Sequence, residues 1–571
     1  MRTKTLLYTT IFVAVAFFVI SNELYAQKRK SAPTGVDVSE CYSCHDTIKD
    51  LRKMGKHVKV ECTNCHSNLE KHLINPGSET RPNTNTSWEA CGQCHKEQYK
   101  SSFEVAYHRP ARDDKSQLTN RSPNPFWDTL MMGHGFTKEH ALTRSHPWSL
   151  IDHLLVDRAY GGRFQPKKGW EYTSEKPHSK IWDILYDKFP DVKEHKAFLP
   201  QTAAGANPTC FQCKTQDQIL DWAYMGDPGN GAKWSRMSKP NELAKSVKHS
   251  LNCYTCHDPH AARPRIVRDA LIEALNKPAG DTLWHTDPKR TIFKVIDMGM
   301  RGYPRKIAIL EKYDTKLQCG QCHMEYNCNP GTDTKTGQPV GFADRRTNHA
   351  PFKDSLGLYD HYVNQIHFLD WRHPLTGGLL WKAQHPDSEA YYNSKHAKAN
   401  VSCNDCHSPK VRDKKTRKTY TSHFVVTPRF QLKETCLKCH SGWTEEQARY
   451  TIDSVKAYTK GRMRKAEFWI SNLIDKIVEA KVANVDTVIL KEAQNQHLKA
   501  HILWEFWTAE NSDGFHNPGL ARESFCLLYT SDAADDLHCV DLGGRRIITK
   551  TNSRSSAVPP RQYQTASPSQ Y

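Results

Sequence analysis

Apolar character is scarce in this 571-residue sequence. Hydrophobic residues make up 38% of it and the mean hydropathy is −0.72, lean for a chain of this length. Long apolar runs are scarcer still. Only Leu6–Ile20 forms one, and it is short for the roughly 20 residues a membrane-crossing helix needs. Arg2 and Lys4 precede it and Leu24-Tyr25-Ala26 follows, so residues 1–26 read as a cleaved signal peptide, with a retained anchor as the rival. Acidic residues also fall short: 62 Asp and Glu face 80 Lys and Arg, a formal charge of +18. Such a balance raises nucleic acid or a membrane surface as a partner.

Cysteine is plentiful, at 19 residues. Sixteen fall in pairs with two residues between: Cys41/Cys44, Cys62/Cys65, Cys91/Cys94, Cys210/Cys213, Cys253/Cys256, Cys319/Cys322, Cys403/Cys406 and Cys436/Cys439. Cys328, Cys526 and Cys539 are left over. A histidine follows seven of the eight pairs: His45, His66, His95, His257, His323, His407 and His440. A disulfide framework does not explain that histidine, and zinc ribbons do not require it. Two thioether-forming cysteines and an iron-ligating histidine make the attachment signature of c-type haem. The chain is therefore expected to carry eight covalently bound haem c groups. Their macrocycles would fill the thin interior, and about sixteen propionates would roughly cancel the positive excess. No nucleic acid is expected as a partner, and the mature chain is expected in the periplasm, where such haem is attached. The eighth pair, in PTCFQCK (208–214), ends in Lys214. A deprotonated amine still ligates iron, and tethering beside the metal enforces that form. An open opposite face would make this haem the place for chemistry, while the other seven conduct.

Organisation follows from these sites. Residues 27–112 form an N-terminal three-haem region with short helices. Residues 113–440 hold five more sites, after an interval (113–209) without attachment motifs that reads as wall around Lys214. Residues 441–525 form long C-terminal helices. There Thr444-Glu445-Glu446-Gln447 is a capping box, and Ile452, Val455, Phe468, Ile474, Ile477 and Val478 recur at helical spacing. A second helix is expected from about Asp486 to Glu510. From Cys526, CLLYTSDAADD resembles a translated sequencing adapter, so 526–571 is read as an assembly artefact, with a disordered tail as the rival. The fold class is mainly α, a multihaem cytochrome c fold with a packed haem array. Electron-transfer haems take a second ligand. His57, His249 and His396 lie shortly before attachment pairs, His72 and His108 after one, His423 ahead of the last, and His516 in GFHNP. These seven are the candidate distal ligands.

Two further stretches, CGQCHMEYNCNP and LLWKAQHPDSEAYY, together with CFQCK, resemble the ammonium-forming cytochrome c nitrite reductases. In that family a lysine-ligated haem faces a Tyr, a His and an Arg, beside calcium. The resemblance covers about residues 35–525 and implies Tyr326, His385 and Arg158 as catalytic residues with Lys214, Arg163 standing close behind Arg158. It implies calcium held by the Glu325 and Gln384 side chains and the Tyr326 and Lys382 carbonyls, oxygen donors that suit this ion. The common members carry five haems. Eight sites, the lysine fourth, and Tyr326-Asn327-Cys328 resemble instead the octahaem branch, in which that tyrosine is crosslinked to the cysteine. The implied reaction reduces nitrite to ammonium, with hydroxylamine and sulfite as side substrates. A quinol-linked donor would supply electrons, and a homo-oligomer, as large as a hexamer, is implied. The rivals are octahaem hydroxylamine or hydrazine oxidation, against which Lys214 argues, and a non-catalytic electron conduit, which needs no open haem.

Overall fold

The computed structural model describes residues 37–104, 146, 156–158, 164–166, 208–216 and 251–530, with short interruptions at 78, 86–87, 278–279, 281, 301–303, 342–343 and 374. The signal peptide, His108, Arg163, His249, most of 113–209 and residues 531–571 lie outside them.

The architecture is mainly α, of short helices around the attachment motifs and long helices at the C-terminal end. The motif dictates the short ones. Cysteine, cysteine and histidine at i, i+3 and i+4 share one face of a single helical turn. Accordingly the backbone N–H of His45, His95, His257, His323 and His440 donates to the carbonyl of the first cysteine of its own motif. The Lys214 motif departs from this. A 3₁₀ turn spans Pro208–Cys213, and the Lys214 N–H donates to Phe211 O at 3.1 Å, one residue nearer in sequence.

Strands enter as well, the first of one sheet at the histidine of the fifth attachment motif. β1 (His257–Asp258), β2 (Arg263–Ile266), β3 (Phe293–Met300) and β4 (Pro304–Leu310) form an antiparallel sheet in the order β1-β2-β4-β3. Val295 and Ile307–Leu310 supply its apolar packing, together with Ile266 and Leu271. The β3–β4 register shifts between Asp297 and Met300, where Gly299 takes a φ of 75° that an L side chain rarely adopts.

Helix α1 runs Glu445–Val482, 38 residues and about 57 Å at 1.5 Å per residue. Its start is the capping box: Thr444 Oγ1 accepts from Gln447 N at 3.2 Å, and Gln447 Oε1 accepts from Thr444 N at 2.8 Å. Helix α2 (Thr487–Ala509) is capped by Asp486, which accepts from Val488 N at 2.7 Å. Helix α3 (Pro518–Thr530) packs on both and continues past residue 525, with Leu528 and Tyr529 buried in the core.

Ile452, Ile474 and Ile477 face inward as their spacing demands, but Phe468 does not, being 59% exposed. Six residues before Ile474 is about 240° away around the helix at 3.6 residues per turn, so Ala466 and Ile470 take the inner face. Trp504, Phe506, Trp507 and Phe525 complete a core shared with Tyr362, Leu380 and Trp381. The helices thus clamp the segment leading into Gln384 and His385. His501 Nε2 hydrogen-bonds Trp381 O at 2.9 Å, and Gln494 Nε2 and Lys481 Nζ donate to the Thr376 and Leu375 carbonyls, each at 2.7 Å. Among the described residues no helix is long and apolar enough to cross a membrane.

Candidate functional site

Every attachment histidine stands opposite a second imidazole. The pairs are His45/His72, His66/His260, His95/His57, His257/His423, His323/His146, His407/His516 and His440/His396, with ring centroids 6.1–6.5 Å apart. That separation is what an iron between the two rings would require. A metal–nitrogen bond of about 2.0 Å plus about 1.1 Å from nitrogen to ring centre, doubled, is about 6.2 Å. The donor set therefore fits iron held between two axial imidazoles. His349 and His361, outside the attachment motifs, instead stack at 5.0 Å with their Nε2 atoms 2.7 Å apart, too close to hold an iron between them. Desolvation pushes the His407 and His260 imidazoles down to about 4, into the neutral form that ligates metal.

Of the seven distal candidates read from sequence, His57, His72, His396, His423 and His516 are in these pairs, and His108 and His249 fall outside the described residues. His146 and His260 were missed. A signal existed for His260, which lies three residues beyond its own motif in CYTCHDPH yet pairs with His66; His146 sits in the interval without motifs.

The attachment cysteines are not all interior. Cys213 is buried and most of the others are half-buried, but Cys44, Cys94 and Cys439 are exposed. The cause is what packs around them. Cys44 ends the short helix Val38–Cys44 and Cys439 ends Cys436–Cys439, neither of which has a buried residue, and Cys94 lies just past Trp88–Gly92. Cys213 instead lies under Arg268, beside the sheet. A thioether joins the rim of the macrocycle, so attachment requires reach to that rim and not a protein wall behind the sulfur.

Contacts between attachment cysteines order the sites. Cys41 meets Cys62, Cys91 meets Cys253, Cys319 meets Cys403, and Cys213 meets Cys322. Cys65 and Cys91, Cys256 and Cys319, and Cys406 and Cys436 lie close enough to act on each other electrostatically. The sites thus form a line, first, second, third, fifth, sixth, seventh, eighth. The Lys214 site branches from the sixth.

Around that branch the residues singled out by motif converge. The rings of Tyr326 and His385 are 6.5 Å apart. Arg268, which carries no sequence signal, ties Tyr326 to the Lys214 motif: its guanidinium lies 4.6 Å over the phenol ring, Nη1 donates to Cys213 Sγ at 3.1 Å, and Nη2 donates to Asn348 Oδ1 at 3.1 Å. A buried cation over an aromatic face is held by the ring quadrupole. Cys328 is buried two residues from Tyr326. The backbone of Arg158 lies in the strand Val156–Arg158, paired with Phe164.

Behind Tyr326 is an acidic pocket. Gln384 N donates to Glu325 Oε2 at 2.7 Å, Glu325 N donates to Glu389 Oε1 at 2.9 Å, and Lys382 N donates to Asp370 Oδ1 at 3.1 Å. Burial pushes the Glu325 and Glu389 carboxyls well above their usual range and Asp370 up to about 7. Glu325 Oε1, Asp370 Oδ2 and Glu389 Oε2 are buried without a hydrogen-bond partner. Several carboxylates sharing one dry space are costly unless a cation joins them. Hard oxygen donors of this kind fit calcium.

Comparison with known proteins places these features in context. The profile of the family described as Cytochrome c552 matches residues 167–536. The cytochrome c nitrite reductase subunit NrfA of Nitratidesulfovibrio vulgaris is 26% identical over 430 residues, 71% of this chain and 66% of that protein. The cytochrome c-552 of Haemophilus ducreyi is 26% identical over 324 residues, 54% of each. The chain thus spans between about half and two-thirds of these relatives. Among solved structures, a cytochrome c nitrite reductase from Desulfovibrio desulfuricans, with two calcium sites in its catalytic subunit, shares the fold. Its TM-score is 0.52 at 19% identity, over 78% of this chain and 84% of that one.

Proposed function

Because the chain belongs to the cytochrome c552 family, and so binds haem c covalently, we propose that it is an octahaem nitrite reductase forming ammonium at the Lys214 site. The observation that carries this reading is Arg268, which joins Cys213 of the only lysine-bearing motif to the ring of Tyr326, itself beside His385. Sixteen paired cysteines would hold eight haem groups, and the seven imidazole pairs and Lys214 would ligate their irons. When bound, haem would supply one-electron storage along the line and, at the Lys214 site, an iron to which nitrite could bind.

The protein's own groups do the rest. Lys214 presents an amine where every other motif presents imidazole. Arg158 and His385 attract the anion and hydrogen-bond its oxygens. His385 is the proton donor for N–O cleavage. Tyr326 positions intermediates, and a thioether to Cys328 would lower its phenol pKa. Glu325 and Gln384, with the Tyr326 and Lys382 carbonyls, hold calcium, whose charge adds to the polarisation of the site. Electrons come from a quinol-linked donor, in the periplasm, to a homo-oligomer. Hydroxylamine and sulfite are side substrates.

The test is nitrite reduction by the haem-loaded protein with a viologen donor, following ammonium, nitric oxide and hydroxylamine together. Near-stoichiometric ammonium is expected, and His385→Ala should abolish most of it. Full reduction of the haems without nitrite consumption would leave only an electron conduit.

A further inference from the structure

Axial imidazoles in this protein differ in what their outward nitrogen meets. His57 Nδ1 faces Pro259 O at 2.6 Å, His407 Nδ1 faces Val426 O at 2.9 Å and His423 Nδ1 faces Thr421 O at 3.0 Å. His66 Nδ1 faces Thr84 Oγ1 at 3.1 Å. All four are neutral acceptors. Two imidazoles meet carboxylates instead. His323 Nδ1 lies 3.1 Å from Asp387 Oδ2, and His516 Nδ1 lies 2.5 Å from Glu510 Oε1 and 4.0 Å from Asp387 Oδ1. Asp387 and Glu510 are both buried. Asn511 donates to both oxygens of Asp387, and Ser512 N and Gly514 N donate to Glu510. Among the described residues no lysine or arginine forms an ion pair with either carboxylate. The contrast is Asp258, 3.9 Å from His260 Nδ1: its charge is already matched by Arg265 at 2.9 Å.

We propose that Asp387 and Glu510 are positioning residues that set the electrochemical order of the array, holding the sixth- and seventh-site haems at the low-potential end. This rests on the axial pairing above. A carboxylate accepting the Nδ1–H makes the imidazole a stronger donor to iron, and the buried negative charge adds to it; both favour the ferric state. The effect falls at a particular place. The sixth site borders the Lys214 site through Cys322 and Cys213, and the seventh borders the sixth through Cys403 and Cys319. Asp387 spans those two sites and lies two residues from His385, whose carbonyl accepts its N–H at 2.8 Å. Electrons thus reach the branch from its most reducing neighbours, so the last transfer runs downhill. Glu510 acts on the seventh site alone, and Asp387 chiefly on the sixth.

The experiment is a spectropotentiometric titration of the haem-loaded protein and of Asp387→Asn and Glu510→Gln, with haem content and low-spin electron paramagnetic resonance signals recorded for each. Each variant should keep its haem count and low-spin signals. Part of its reduction curve should move upward by at least tenfold in the reduction equilibrium, 59 mV for one electron. Curves superposable on that of the unaltered protein in both variants would overturn the proposal. So would conversion of a haem to high spin in both, because the carboxylates would then only hold the imidazoles in place. Absence of bis-imidazole signals in the unaltered protein would instead refute the axial pairing itself. Since no readout uses nitrite, a failure of the nitrite reading is seen separately.

Discussion

Replacing His260 by alanine tests the imidazole pairs one at a time. His260 faces His66 at 6.3 Å with the rings within 9° of parallel. Its own Nδ1 stands 3.9 Å from Asp258, beyond hydrogen-bond range, and Asp258 keeps Arg265 at 2.9 Å whether or not the imidazole is there. The substitution therefore removes a ligand without breaking the nearby buried ion pair. Seven imidazole pairs become six. Integrated low-spin ferric intensity in electron paramagnetic resonance should fall by about one seventh, with a matching gain of high-spin signal, because an iron with one strong axial ligand leaves the low-spin class. His349→Ala serves as the control: its 5.0 Å contact with His361 is too close to straddle an iron, so the low-spin intensity should stay at its original value. An unchanged low-spin intensity in the His260 variant, or an equal loss in both, would refute the distance argument.

Three other outcomes are expected. Ile474→Ala, at a fully buried position of the helical core, should cost about 2–5 kcal/mol in denaturant unfolding, and a cost below about 1 kcal/mol would mean that the α1–α2–α3 core collapses around the gap. Glu325→Gln should abolish calcium binding in calorimetry while leaving haem content unchanged; undiminished binding would move the ion elsewhere. The Arg346 guanidinium and the Lys335 and Thr336 N–H groups hold the Asp333 carboxyl well below its usual range. A depressed folded value gives stability that is complete above the unfolded pKa of about 4 and is lost as pH falls through the folded one. Asp333→Asn should therefore flatten the acid limb of a melting-temperature profile, and an identical limb would contradict the assignment.

What the sequence disclosed depended on how local the cause was. The i, i+3, i+4 motif fixes its own helical turn, and Thr444 with Gln447 fixes the start of α1, so both were legible. The exposure of Cys44, Cys94 and Cys439 was not, because the motif is the same string whether or not other segments pack over it. Phe468 was misassigned because an apolar residue off the helical phase looks the same in a list as one on it. The β3–β4 hairpin went unread because neither KVIDM nor RKIAIL alternates strictly between apolar and polar residues, and the attachment motifs on either side dominate the pattern. At the site, Tyr326, Gln384 and His385 stand in recognisable strings. Arg268 and Glu510 do not, since each acts through neighbours that only folding brings together. His146 illustrates the limit: one histidine among 30, in an interval with no motif, and its partner lies far along the chain.

That distance has a consequence for folding. His66/His260, His257/His423, His323/His146 and His407/His516 each join residues more than a hundred positions apart. Iron clasped by such a pair would tie the chain as a disulfide does, and closing a loop of that length removes about 5 kcal/mol of disorder from the unfolded ensemble. Unlike disulfides, these ties can be exchanged: any neutral histidine that drifts near an attached haem can take the wrong position first. Refolding should therefore be slowed by misligated traps and hastened by imidazole in solution, which competes for the iron until the native partner arrives.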